Sequence, residues 1–196
     1  MTKQKWTYGE EVDPADLRKV SESAGLSEVA AGILLRRGLA TVESVGRFLQ
    51  PRLAELSDPF LLPDMAAAVR RIFEAVDREE RIVLFGDYDV DGVTSLAQLQ
   101  RALVQYGAHV ECFVPLRVEE GYGLSGQGVA RCLELYSPDL IITVDCGIAS
   151  IDQAETARNL GLDLIITDHH AMADRLPTAS AIVHPKLPGH AYPFTG

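Results

Sequence analysis

The sequence predicts an α/β protein: a doubly wound, mainly parallel sheet in residues 81–196, preceded by a small helical cap in residues 1–80. Three observations lead there. From residue 81 onward, short β-branched runs alternate with helical segments. Those runs are apolar at nearly every position, as strands covered on both faces must be. Before residue 81, apolar residues recur at helical spacing instead.

In chain order, Asp13 and Pro14 supply an N-cap with Pro at the first helical position, and Gly25 closes that helix. Ser27 opens a second helix ending at Gly38, and Thr41 caps a third that runs to Leu49 before Pro51. Met65, Val69, Ile72, Phe73 and Val76 form one apolar stripe. The strand RIVLF is followed by a helix carrying Leu96, Leu99, Leu103 and Tyr106, stopped by Gly107. VECFV precedes a helix around Val129 to Tyr136, and LIITV precedes one from Ile151 to Leu160, stopped by Gly161. DLIIT and AIV complete the sheet.

With 47% hydrophobic residues in 196, the chain can bury a real core. Net charge −10 excludes a polybasic nucleic-acid coat or a cationic membrane binder, so any nucleic-acid contact is local or metal-mediated. Residues 81–196 hold −7 of that charge, and cations bound by their acids would offset part of it. Cys112, Cys132 and Cys146 form no CxxC, which supports neither a disulfide framework nor a zinc knuckle and points to a reducing cytoplasm. Apolar runs of about five residues are far short of the roughly 18 needed to span a bilayer.

Three strands end alike: RIVLF runs into GDYDVDG, LIITV into DCG, and DLIIT into DHH. The carboxyl ends of strands in an open parallel sheet line the ligand crevice, so these clusters should face one another. Carboxylates so packed repel unless protonated or bridged, and Asp oxygens with His nitrogens suit Mn²⁺ or a similar ion. A single Asp after a strand is more simply a helix cap, and two loop histidines are as simply caps themselves; the threefold repetition favours metal. Two look-alikes compete. Asp87, Asp89, Asp91 and Gly92 open like a calcium loop, but Gln98 stands where a bidentate Glu belongs. Gly121 to Gly126 spell GxGxxG, but PLRVEE separates them from the strand that should deliver a tight turn.

The triplet Asp168-His169-His170, with GDYDVDG and VDCG before it, resembles the DHH superfamily of metal-dependent phosphoesterases. LLRRGL, FLQP, DPFLLPDM, PLRVEEGYGL and AIVHPKLPGHAYPF further resemble, in the same order, the RecJ-type single-strand-specific exonucleases. The resemblance implies a 5′→3′ exonuclease releasing mononucleotides from single-stranded DNA in repair and recombination, with two Mn²⁺ or Mg²⁺ ions. It implies a cytoplasmic, monomeric enzyme whose partners include single-strand-binding protein and a helicase. Asp87, Asp89, Asp91, Asp145 and His169 are the implied metal ligands, with Asp145 shared between ions. Asp145, His169 and His170 are the implied catalytic residues, and Arg117, Tyr122, His170 and Lys186 the implied substrate contacts, with Arg36 and Arg37 weaker phosphate candidates.

There are departures. Phe85 stands where several relatives carry a metal-binding His, and His184 where Asn is usual. The fourth motif, a further Asp, is absent, so residues 81–196 are expected to be a domain truncated at its C-terminus and inactive alone. Within the same fold the alternatives are an oligonucleotide or cyclic-dinucleotide phosphodiesterase, or a non-catalytic replication scaffold, which would have lost its acidic ligands.

Overall fold

The computed structural model describes Gly9, residues 11–121, residues 123–190 and residues 192–193. Its residues fall into two compact units, Met1–Ser57 and Asp58–Gly196. The first holds helices α1 (Pro14–Ala24), α2 (Glu28–Arg36) and α3 (Val42–Leu49). Each begins where the sequence places a cap: Asp13, Ser27 and Thr41 accept from the amides of Ala15, Ala30 and Ser44. Val20, Ala31, Leu34 and Val45 form their common core.

The second unit contains α4 (Met65–Asp77), β1 (Arg81–Gly86), α5 (Val90–Gln105), β2 (His109–Phe113), α6 (Arg117–Glu120) and α7 (Gly126–Tyr136). It continues through β3 (Leu140–Val144), α8 (Ile151–Asn159), β4 (Asp163–Thr167) and β5 (Ala181–Val183). The units divide at Ser57/Asp58 rather than at residue 80, where the periodicity changes. The reason is packing: Ala68 and Ala75 of α4 share a core with Leu84, Ile142 and Ala181 of the sheet. Asp64 also accepts a hydrogen bond from the amide of Ile182 at 3.1 Å, tying the start of α4 to the edge strand.

The five strands are all parallel in the order β2-β1-β3-β4-β5, as the sequence predicts. Side chains alternate faces along each strand. Val83, Phe85, Ile141, Leu164 and Ile166 pack against Val129 and Cys132 of α7 and Ala154 and Ala157 of α8. Ile82, Leu84, Leu140, Ile142 and Ile165 pack against α4 and α5. Both faces being covered, the strands read as continuous apolar runs. After β2 the chain returns across β1 to build β3, so the winding direction reverses between β1 and β3, which is where such sheets bind ligands.

Candidate metal centre

The register sets the site. Gly86 pairs with Val144, Val144 with Thr167, and Thr167 with Val183. One residue further on, the same row across the sheet reads Asp87, Asp145, Asp168 and His184, all buried. Backbone bonds continue the pairing through it: Asp87 N–H donates to Val144 O at 3.3 Å, Asp145 N–H to Thr167 O at 3.0 Å, and Asp168 N–H to Val183 O at 3.2 Å.

Asp87 Oδ1 accepts from the amide of Tyr88 at 2.8 Å, while its Oδ2 is buried with no hydrogen-bond partner. Asp89 is the N-cap of α5 and accepts from Gly92 N–H at 3.0 Å. The simple reading of this Asp as a cap is therefore correct, and it leaves Asp89 a carboxylate oxygen for a ligand. Gly92 makes the close turn possible, since a Cβ there would collide with the backbone carbonyl of Asp87. Asp145 adopts a left-handed backbone at φ 62°, which Asp tolerates better than most residues. Its Oδ1 lies 3.0 Å from His169 Nε2 and 3.8 Å from His170 Nδ1, and its Oδ2 is buried without a partner.

Asp168 faces inward and organises. It accepts from the amides of Ile148 at 3.0 Å, His169 at 2.7 Å and His170 at 3.0 Å, and from His170 Nδ1 at 2.7 Å. Burial pushes its pKa up, but these bonds outweigh burial and hold it below the ordinary carboxylate value. His170 is pushed up, chiefly by its bond to Asp168 against the opposing effect of burial. Asp145 is also pushed up, by burial first; His170 and His169 oppose that, while Asp89 and Asp168 reinforce it.

Two ligand groups result: Asp145, His169 and His170, and Asp87, Asp89 and Asp145, with the donor atoms of each within 4.8 Å of one another. Asp145 belongs to both. Two partnerless buried carboxylate oxygens beside imidazole nitrogens fit a hard or borderline divalent cation, since an unpaired buried acceptor is costly.

Other candidates fall elsewhere. Asp91, the second residue of α5, is exposed and outside both groups. Lys186 is exposed just beyond β5. Arg117 begins α6, but its side chain is not among those described, and Tyr122 lies outside the described residues. Arg36 ends α2 and Arg37 follows, both exposed, in the first unit. Phe85 is fully buried, 4.9 Å from the Phe113 ring, and supplies no ligand. Cys146 is buried, with burial and the carboxylates of Asp168 and Asp87 raising its thiol pKa, so it is a packing residue.

Both look-alikes are closed. The DYDVDG run caps a 16-residue helix instead of forming a cation loop, and α6 stands between β2 and the GxGxxG glycines. The sequence reading missed the organising role of Asp168 and any role for His184. AIV followed by His repeats the strand-then-polar pattern of the other three motifs, and that signal could have found it.

The fold and this row define a class: a doubly wound α/β domain with a carboxylate and imidazole centre at its switch point. Residues 81–191 match the DHH family, N-terminal domain, and the chain belongs to that family. It is similar to the single-stranded-DNA-specific exonuclease RecJ of Bacillus subtilis (strain 168), 40% identical over 193 residues, which is 98% of this chain and 24% of that protein. RecJ of Escherichia coli (strain K12) is 36% identical over 175 residues, 87% of this chain and 30% of that protein. The chain thus spans less than a third of the length of these relatives. Among solved structures, RecJ from Thermus thermophilus in complex with Mn²⁺ superposes with a TM-score of 0.63 and 32% identity, over 92% of this chain and 25% of that one. An exonuclease RecJ bound to manganese gives a TM-score of 0.58 and 41% identity, over 66% and 33%. The resemblance drawn from the motifs is borne out. No helix among the described residues is long and apolar enough to cross a membrane.

Proposed function

We propose that this chain carries part of the catalytic machinery of a metal-dependent phosphodiesterase, a 5′→3′ exonuclease that releases mononucleotides from single-stranded DNA in repair and recombination. One observation carries the metal-dependent reading: Asp87 and Asp145, adjacent at the switch point, each keep a buried oxygen with no partner. A scaffold that bound partners without chemistry would have no use for such costly groups. The single strand and the exonuclease action rest on the similarity to RecJ proteins, and the polarity and the repair context on the resemblance of the motifs.

Asp87, Asp89, Asp145 and His169 would hold two ions, Mn²⁺ or Mg²⁺, with Asp145 shared and Asp91 assigned as a further ligand by its motif. The chemistry such ions supply is activation of water at neutral pH and neutralisation of charge on the phosphoryl oxygens. The chain's own groups do the rest. Asp168 accepts the Nδ1 proton of His170, which leaves Nε2 for a phosphate oxygen. The raised pKa of His170 favours the cation, complementary to that phosphate. Arg117, Tyr122 and Lys186 are assigned to the strand, through phosphate contacts and base stacking. Three free cysteines accord with a reducing cytoplasm.

The test is Mn²⁺ titration of the chain by electron paramagnetic resonance, with 5′-labelled and 3′-labelled single strands as substrates. Mn²⁺ binding that Asp145→Asn removes is expected, with little or no turnover by this chain alone and any mononucleotides released coming from the 5′ end. A chain that binds no Mn²⁺ would refute the metal centre, and release from the 3′ end would refute the polarity.

A further inference from the structure

The buried row Asp87, Asp145, Asp168 and His184 has a fourth member with no part in the centre so far. His184 has no exposed surface, and both its ring nitrogens are engaged. The backbone N–H of Lys186 donates to Nδ1 at 3.0 Å, and Nε2 lies 2.9 Å from the carbonyl oxygen of His170. An amide N–H only donates, so Nδ1 carries a lone pair. A carbonyl oxygen only accepts, so Nε2 carries the proton. The ring is thereby confined to one neutral tautomer in one orientation, and neither nitrogen is left for a metal.

The triplet 168–170 is therefore gripped at two points by the chain that continues β5. At its first residue Asp168 N–H donates to Val183 O at 3.2 Å, and at its third the carbonyl of His170 takes the His184 proton. Between them the Asp168 carboxylate fixes the His170 ring and reaches Ile148, just beyond Asp145. We propose that His184 is a positioning residue: its Nε2–H holds the backbone of His170, and with it the ring, in place against Asp145, while its Nδ1 holds the turn that presents Lys186. The functional consequence rests on the reading of His170 and Lys186 as phosphate contacts.

A histidine that merely filled space could be replaced by any side chain of similar volume. A positioning histidine is replaceable only by a group that remakes its bonds. Gln places an amide N–H about where Nε2 stands, whereas Asn reaches only as far as Nδ1 and Leu offers neither. The experiment uses the ¹⁵N-labelled 196-residue chain and the variants His184→Gln, His184→Asn and His184→Leu. In the unsubstituted chain, nitrogen-detected spectra should show His184 as the Nε2–H tautomer. The His170 Nδ1–H resonance, bonded to Asp168, should persist in the Gln variant and shift or exchange away in the Asn and Leu variants.

With Mn²⁺ present, affinity for a 5′-phosphorylated oligothymidylate should fall about tenfold in the Asn and Leu variants, one hydrogen bond's worth, and stay within about twofold for Gln. Mn²⁺ affinity itself should change less than about threefold in all three. An Nδ1–H tautomer, His170 resonances unmoved in every variant, or Gln no better than Leu would each overturn the proposal. If the Leu variant does not fold, the native tautomer and the Gln and Asn pair still decide. If the unsubstituted chain binds no oligothymidylate, the exonuclease reading fails, while the tautomer and the His170 resonances still decide the role of His184.

Discussion

At the amino end of the sheet, Arg71 donates through Nε to Asp163 and through Nη2 to Glu80, each at 2.6 Å. Ser180 completes Asp163 at 2.9 Å, and Asp139 accepts from the amide of Arg81 at 2.8 Å. At the carboxyl end, Asp87 and Asp145 keep buried oxygens with no partner, and among the described residues their row has no Lys or Arg in ion-pair contact. The amino end has one loose atom of its own, Arg71 Nη1, but there the loose group is a donor on an already doubly paired cation. The same sheet thus neutralises its acids from within at one end and leaves them bare at the other. A carboxylate that folding needs comes with its cation; one that stays bare while buried is where a cation from outside would lower the cost of burial.

The largest effect that could break this contrast is at Asp145. Asp145→Asn should lower Mn²⁺ affinity about a thousandfold, about 4 kcal/mol, measured by calorimetry. Its melting temperature should hold or rise, because burial already disfavours the charge and Asn accommodates the left-handed backbone. A large drop in melting temperature with Mn²⁺ binding intact would put Asp145 in the same category as Asp163.

Arg71→Met should do the opposite. It strands Glu80 and Asp163 and should cost about 2–4 kcal/mol in denaturant unfolding, with Mn²⁺ affinity unchanged. Asp168→Asn is the intermediate case, since Asp168 lies in the bare row yet is fully bonded. An expected loss of about 1–2 kcal/mol in stability and about tenfold in Mn²⁺ affinity would show both functions in one residue.

The smallest effect is in the pH profile of the metal-free chain. In Asp163, burial raises the pKa but the bonds from Arg71 and Ser180 outweigh it, and the result, like that for Asp168, is lowered. Their contribution to stability is present above the ordinary carboxylate value of about 4 and is lost as pH falls through their lowered values. Asp145 has the contrary sign: its raised pKa favours the folded chain when protonated, and that contribution is lost as pH rises through the raised value. Melting curves in EDTA should therefore show an acid limb common to wild type and Asp145→Asn, then a gentle decline in wild type alone as pH rises through the raised Asp145 value, and at higher pH a decline common to both as His170, held up chiefly by Asp168, loses its proton.

Much of the carboxyl end was legible in the sequence because its signals are local. Strand, then acid, is a pattern a few residues long, and two-sided burial marks each strand without reference to its partners. The caps Asp13, Ser27 and Thr41 were legible for the same reason. The amino end was not, since Arg71 meets Asp163 and Asp64 meets Ile182 only after the chain has wound. Nor was the grip on the segment around α6, where Glu120 accepts from the amide of Leu116 at 2.6 Å and is paired with Arg131, whose guanidinium lies 4.3 Å above the Phe113 ring. His184 was noticed only as a departure, because a buried imidazole and an exposed one look alike in a sequence.

The reversal of winding between β1 and β3 also sets how far apart in the chain the centre's neighbours lie. Asp87 and Asp145 stand side by side in the row, yet α5, β2, α6, α7 and β3 separate them in sequence. Backbone pairing of β1 with β3, and of β3 with β4, brings the three motifs together. An ion held there would stabilise the paired form by mass action, in proportion to the concentration of free metal.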